Sequence, residues 1–175
     1  MPALDALFLY GGPSRVTSDC LADCRSAWWE RVRDRFLHST TLVRKLDNGP
    51  ENHRRRTQFM ARLVQFARHY HPTVRLAYSP PDHSKYNPVA RCWGILERHW
   101  HGTLLDALET VLGFAATMTW QGRHPVVALV TAAYERGVAL TAAAMADVAS
   151  HRTRLPQLEQ WFIDISPGAA LAWEA

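Results

Sequence analysis

The sequence predicts an α/β fold, because strand patterns and helix patterns alternate three times between residues 7 and 101. Hydrophobic residues make up 47% of the 175 residues, and charged residues make up 21%. This composition supplies enough apolar side chains for a core and is too apolar for a disordered chain. A chain of this length has the size of one domain.

The three predicted strands are short apolar or β-branched runs that end at turn-forming residues. They are expected at Leu7–Tyr10, Thr40–Leu46 and Thr73–Tyr78. Gly11-Gly12-Pro13 stops the first run, and Asp47-Asn48-Gly49-Pro50 stops the second. We therefore expect a loop at the carboxyl end of each strand.

The three predicted helices have apolar residues at three- and four-residue steps. They are expected at about residues 17–37, 51–70 and 88–100. Asn87 can cap the third helix, and Pro88 suits its first helical position. The second helix has a basic face opposite its apolar face, so we expect it to pack on one side only.

The character of the sequence changes after Gly102. Helical compositions occur at residues 104–118, 125–134 and 141–150. Residues 155–165 form an amphipathic stretch whose type the pattern leaves open. We therefore expect an α/β part at residues 1–101 and a helical part at residues 102–175.

The charge balance favours a polyanionic partner. Twenty Lys and Arg against sixteen Asp and Glu give a net charge of +4, and the pI is near 9.3. Nucleic acid is such a partner, although a basic enzyme would have the same balance.

Cysteine usage and hydropathy indicate the compartment. Three cysteines are too few for a disulfide framework, which favours a reducing environment. No stretch approaches the roughly 18 apolar residues that span a bilayer, and the first residues lack the basic start of a secretory signal. We expect a cytoplasmic protein without a membrane partner.

The sharpest motif is Asp47-Asn48-Gly49-Pro50-Glu51-Asn52, which follows the second predicted strand. A carboxylate at the carboxyl end of a strand faces the crevice where α/β folds bind ligands. Mg²⁺ prefers oxygen ligands, and phosphoryl-transfer sites usually supply one or two carboxylates per ion. Asp-Asn-Gly is also a strong turn former, so the local sequence leaves a metal ligand and a simple turn both open.

Basic residues are dense downstream of this motif. They are His53, Arg54, Arg55, Arg56, Arg62, Arg68 and His69. Three adjacent arginines near a helix N-terminus suit phosphate contacts, but such a run also suits a solvated helix face. A second polar loop brings His83, Ser84, Lys85 and Asn87 to the start of the third helix, where an anion is favoured.

Together, the two motifs resemble the C-terminal half of an insertion-sequence transposase of the DDE superfamily, in the mariner-related ISAzo-type group. They are Asp47–Asn52 after a strand and Pro80-Pro81-x-His83-Ser84-Lys85-Tyr86-Asn87-Pro88 at the opening of a helix, about 35 residues apart. The resemblance extends from the first strand to the tail at Leu155–Ile165.

The resemblance implies a partial ribonuclease-H-like fold, with its last three strands and their helices in residues 1–101 and a helical C-terminal extension in residues 102–175. The family's first strand is central to the sheet. Leu7–Tyr10 would then be a third strand without a partner of its own, and Thr40–Leu46 a fourth strand whose free edge is open to another chain.

The resemblance also implies DNA transposition by metal-dependent cleavage and strand transfer, in which three carboxylates hold two Mg²⁺ or Mn²⁺ ions. Asp47 matches the second carboxylate and would be the catalytic and metal-binding residue. The third acidic position is Ala90, and the first aspartate has no counterpart. Glu97 lies seven residues beyond Ala90, about 10 Å along a helix, which is too far to replace it.

The implied protein is therefore a truncated and catalytically defective transposase that does not hold the metals productively. Its implied DNA-binding residues are Arg54, Arg55, Arg56, His83, Ser84, Lys85 and Asn87. Its partners would be transposon-end DNA and a full-length transposase. A non-catalytic DNA-binding or multimerising module derived from a transposase is the alternative.

Overall fold

The computed structural model describes residues 6–46, 49–79 and 88–168. Within these ranges the chain is a mixed α/β protein with five α-helices and two sheets. The helices are α1 (Ser18–Val32), α2 (Thr57–Tyr70), α3 (Pro88–His99), α4 (Leu108–Thr117) and α5 (Ala142–Ser150). The strands are β1 (Phe8–Gly11), β2 (Thr41–Leu46), β3 (Thr73–Tyr78), β4 (Val126–Leu129), β5 (Arg152–Arg154) and β6 (Phe162–Ile165). Across the described ranges, every helix is too short or too polar to span a membrane.

The described residues form two compact units, each with its own sheet. Their residues are 6–15 with 88–133 for the first unit and 16–79 with 134–168 for the second. The division into parts at residues 1–101 and 102–175 stays a prediction.

In the first unit, β1 and β4 pair in parallel, with Phe8 opposite Val126. Helix α4 packs on both strands, and α3 packs on α4. The buried centre consists of Leu96, Ala115 and Met118, each at most 4% exposed. A small core therefore lies between one face of the strand pair and the two helices.

Strand β4 corrects the prediction of a helix at residues 125–134. Its four residues are a short apolar run, which periodicity alone cannot assign to helix or strand. Pairing with β1 makes this run a strand. The expectation that the first strand has no partner of its own is therefore also wrong.

Gly12 allows the backbone after β1 to lie close to Val130, because a Cβ at Gly12 would lie 2.4 Å from the carbonyl oxygen of Val130.

The second unit contains a four-stranded sheet with the order β2-β3-β6-β5. Strands β2 and β3 are parallel, whereas β6 is antiparallel to both of its neighbours. The inner strands supply the centre of the core, since Val74, Leu76, Ile163 and Ile165 are at most 1% exposed. Within the described ranges, β2 is an edge strand that pairs with β3 alone.

Strands β5 and β6 show that residues 102–175, expected as a mainly helical region, also contain strands. The sequence left the structure of residues 155–165 open. The last four of these residues form β6, because they pair with β3, which lies far away in sequence. The helix predicted at residues 141–150 is confirmed as α5.

Helices α1 and α5 both pack on α2. Helix α2 contributes the most deeply buried surface, with Phe59, Leu63 and Ala67 fully buried along one face. It begins at Thr57 rather than at residue 51, because the preceding residues form turns that side chains of other elements hold in place.

One charged residue lies on the core-facing stripe of α1. Arg25 is 6% exposed, and its guanidinium carbon lies 4.4 Å from the centre of the Phe66 ring. Its three guanidinium nitrogens are buried and have no hydrogen-bond partner among the described residues. Burial lowers the pKa of Arg25 well below its ordinary value, and the nearby charges of Arg44 and Arg62 lower it further. Stacking on Phe66 therefore only partly offsets the lost hydration of this cation.

Replacing this cation by an apolar side chain of similar length should stabilise the protein. We expect Arg25→Met to raise the free energy of unfolding by about 1–3 kcal/mol, because it removes a buried charge without hydrogen bonds. Urea unfolding measures the change. Arg31→Met, at an exposed arginine on the same helix, is the control and should alter stability by less than about 0.5 kcal/mol. A clear loss of stability in Arg25→Met would contradict this account.

Candidate functional site

The carboxyl ends of the parallel strands β2 and β3 lie side by side, and the Asp47–Asn52 motif follows β2 directly in sequence. Leu46 and Tyr78 are opposite each other at the ends of these strands, and the Ser79 N–H donates to the Leu46 carbonyl at 2.9 Å. Ligand sites of α/β folds form at such an edge.

Several of the predicted site residues lie outside the described ranges. They are Asp47, His83, Ser84, Lys85 and Asn87. Their proposed roles in catalysis, metal binding and DNA binding stay predictions.

Residues 49–56, called the anchor segment here, follow directly and are held from three sides. The Ser18 hydroxyl at the start of α1 donates to the Glu51 carbonyl at 2.8 Å. The Tyr78 hydroxyl donates to the Asn52 carbonyl at 3.1 Å. A guanidinium nitrogen of Arg54 donates to the Gln160 carbonyl at 3.0 Å. The backbone next to the predicted catalytic position is thus fixed by α1, by β3 and by the loop before β6.

The anchor segment also contains its own turns. The Asn52 N–H donates to the Gly49 carbonyl at 3.2 Å, and the Arg56 N–H donates to the His53 carbonyl at 2.8 Å. The Nδ1 atom of His53 accepts from the Arg55 N–H at 3.1 Å. These bonds replace the first turns of the predicted helix.

The sequence did not identify the two side chains that hold the segment from outside, Ser18 and Tyr78. The neighbouring Thr17 caps α1, because its hydroxyl accepts from the Cys20 N–H. Ser18 is fully buried and reaches a loop more than thirty residues away in the chain. Burial raises the pKa of Tyr78 well above its usual value, so its hydroxyl remains a donor at neutral pH. No local pattern indicates a contact of either kind.

The carboxylate of Glu51 already forms an ion pair within the fold. Arg56 donates to it at 3.0 Å, and the Ser18 hydroxyl lies 3.4 Å from the same oxygen. Its side chain is 21% exposed, so this ion pair is partly shielded from water. Glu51 would have to give up these bonds to serve as a metal ligand.

The basic face of α2 joins helices together. Arg62 forms ion pairs with Asp19 and Asp23 on α1. Arg68 donates to both carboxylate oxygens of Asp147 on α5, at 2.6 and 3.0 Å. The bonds from Arg68 hold the pKa of Asp147 below its ordinary value. These two arginines are used within the fold, which the charge pattern alone did not reveal.

The three adjacent arginines differ in their surroundings. Arg54 and Arg56 are half-buried and make the bonds described above, whereas Arg55 is exposed. Arg56 stands at the N-cap position of α2 and provides no side-chain cap there. Among these three arginines, Arg55 is therefore the most accessible cation.

The donor atoms of the described residues do not fit a two-metal site. Over residues 6–46, 49–79 and 88–168, no three His, Cys, Asp or Glu residues come together in a way that could hold a metal ion. Ala90 is exposed on α3, and its methyl group cannot bind a metal. Glu97 is exposed on the same helix, seven residues further on.

Comparison with known proteins identifies a matching family. The family model described as the Rhodopirellula transposase DDE domain matches residues 2–167, which is nearly the whole chain. No curated protein and no solved structure matches the chain.

Removing the Ser18 hydroxyl should loosen the anchor segment. We expect Ser18→Ala to lower the free energy of unfolding by about 1–2 kcal/mol, because the buried Glu51 carbonyl loses its donor. Amide exchange of Asn52 and Arg56 should become faster. Ser26→Ala, on the same helix, is the control and should leave this exchange unchanged. Equal exchange rates in the two variants would argue against the anchoring role.

Proposed function

Since the match over residues 2–167 shows that this chain belongs to the insertion-sequence DDE transposase family, we propose that it binds transposon DNA at the carboxyl edge of β2 and β3 and does not cleave DNA on its own. The family acts on DNA and generally uses divalent metal ions. The observation that carries the proposal is the anchor segment, which fixes the backbone beside Asp47 and leaves Arg55 exposed.

We assign β2 and β3 to a partial ribonuclease-H-like sheet. Their parallel pairing through α2 supports this assignment, because a strand-helix-strand unit of this kind is the building block of such sheets. The assignment makes Asp47 the residue after the fourth strand of the family fold. It remains a proposal of ours.

The proposed catalytic defect rests on the carboxylates. In the family pattern Asp47 is one metal ligand of three, and the third position holds Ala90. Glu51 is bonded to Arg56 and Ser18, and Glu97 is about 10 Å from Ala90 along α3. Because these donors do not fit the metals, we assign no cleavage step to this chain.

The proposed DNA contact is electrostatic. Arg55 would meet the phosphate backbone directly, while Arg54 and Arg56 position the segment that carries it. Phosphates are also favoured at the N-terminus of α2, which begins immediately after the anchor segment. His83, Ser84, Lys85 and Asn87 are proposed to extend this contact, on the strength of the family motif alone.

A second candidate function is a multimerising module that joins a full-length transposase. The observation that favours it is β2, which pairs on one side only within the described residues. An edge strand offers unpaired N–H and C=O groups to another chain.

The proposed catalytic defect predicts no metal-dependent cleavage. The purified chain with Mg²⁺ or Mn²⁺ should leave supercoiled plasmid DNA intact, and Ala90→Glu should not create nicking, because a second carboxylate still leaves the set of three incomplete. Conversion to open circles on a gel measures the activity. Nicking by the unmodified chain that disappears in Asp47→Ala would refute the defect.

The proposed DNA contact predicts a loss specific to one arginine. Arg55→Ala should weaken binding to duplex DNA and reduce the slope of log affinity against log salt by about 1, because one phosphate contact is lost. Arg55→Lys keeps the charge and should retain most of the affinity. Fluorescence anisotropy at several salt concentrations measures both quantities, with Arg31→Ala as the exposed control. If Arg55→Ala and Arg31→Ala bind alike, the contact lies elsewhere.

A further inference from the structure

A cavity of about 570 Å³ lies at the other end of the parallel strands, where β2 and β3 begin. Its wall includes the 3-10 turn Arg33–Phe36 after α1, the loop before β2 and the last turn of α2. The strands are six residues long, so about 20 Å separates this cavity from the anchor segment. Its volume is in the range of small-ligand sites, and the proposed DNA contact does not use it.

Aromatic rings form one side of the cavity. The rings of Trp29 and Phe36 are nearly parallel, with an interplanar angle of 16° and centroids 6.3 Å apart. Phe36 and Tyr70 are half-buried and line the cavity together with the buried Trp29. The cavity is therefore lined by aromatic rings, and Trp29 supports the ring of Phe36, on which a planar ligand can stack.

The last turn of α2 supplies hydrogen-bond acceptors. The Thr73 N–H donates to the Thr40 carbonyl at 2.9 Å, so the carbonyl of His69, which lines the cavity, lacks its usual helical donor. Carbonyls of a last helical turn point along the axis, past the helix end. The negative end of the helix dipole adds to their preference for N–H donors.

Charged and titratable side chains surround these acceptors. Asp34 is exposed and lines the cavity, which adds a carboxylate acceptor. Arg33, His69 and His71 are also exposed and line it, and Arg33 forms an exposed ion pair with Glu30 at 3.2 Å. The cavity thus combines aromatic rings and acceptors with the guanidinium of Arg33 and the ring nitrogens of the two histidines, which can meet a phosphodiester.

We propose that this cavity binds one unpaired nucleotide of a DNA strand whose base carries an exocyclic amine. The base stacks on Phe36 and Tyr70, and its amine donates to the carboxylate of Asp34. The flanking phosphates lie against Arg33 and His71. This inference rests on the proposed function, because it gives the same chain a second kind of DNA contact, to the bases of a single strand.

Cytosine and thymine provide the sharpest comparison, because both are pyrimidines and only cytosine has an exocyclic amine. Oligo(dC) and oligo(dT) of about ten nucleotides serve as probes, together with a duplex of mixed sequence. At neutral pH the chain should bind oligo(dC) about fivefold more tightly than oligo(dT), which is the difference expected for one hydrogen bond.

Two variants separate stacking from amine recognition. Phe36→Leu removes the ring and should weaken oligo(dC) binding about fivefold or more, while duplex binding stays unchanged. Phe36→Tyr keeps a ring and should retain the affinity. Asp34→Ala, at an exposed site, should bring the affinities for oligo(dC) and oligo(dT) close together even if Phe36→Leu fails to fold.

The outcomes distinguish this inference from the proposed function. Equal affinity for oligo(dC) and oligo(dT), or an Asp34→Ala variant that keeps the full preference, would overturn the inference. Duplex binding that depends on Arg55 would leave the proposed function intact in that case. Failure of the chain to bind any of the three probes would reject both.

Discussion

The parallel pairing of β2 with β3 through α2 determines where every other feature of the second unit lies. Six residue pairs, from Thr41 opposite Thr73 to Leu46 opposite Tyr78, fix the register. The fully buried face of α2 holds the helix against the rest of the unit. With the register fixed, the anchor segment must follow at the carboxyl edge of the strands, and the aromatic cavity must lie at the amino edge.

The start of α2 was harder to predict than its centre or its end at Tyr70. Its apolar period identified the helix, but its first predicted turns are replaced by bonds from Ser18 and Tyr78, which lie far away in sequence. Strand β4 was missed for a related reason, since its partner is more than a hundred residues away. Short runs take their structure from such partners, so periodicity identifies long elements better than short ones.

Residue type was also a poor guide to what each charge does. Arg55 and Arg62 belong to the same basic run, yet Arg55 is exposed and Arg62 pairs with Asp23 on a neighbouring helix. Arg25 looks like any helical arginine in sequence but lies in the core against Phe66. The motif at Asp47 identified the family, because its spacing to the second motif is specific. The motif does not show which carboxylates and cations remain accessible, because their accessibility depends on packing against distant residues.

The strand-helix-strand unit also determines the electrostatic character of its two edges. Helix α2 runs antiparallel to the strands that it connects, so its N-terminus lies at their carboxyl edge and its C-terminus at their amino edge. The helix dipole then favours anions beside Arg55 and N–H donors beside His69. Exposed Arg55 reinforces this difference at the carboxyl edge, whereas at the amino edge the carboxylate of Asp34 lies among the basic side chains of Arg33, His69 and His71. One topological constraint thus gives the two edges opposite helix-dipole fields, which agrees with the phosphate contact proposed at the carboxyl edge and the base contact proposed at the amino edge.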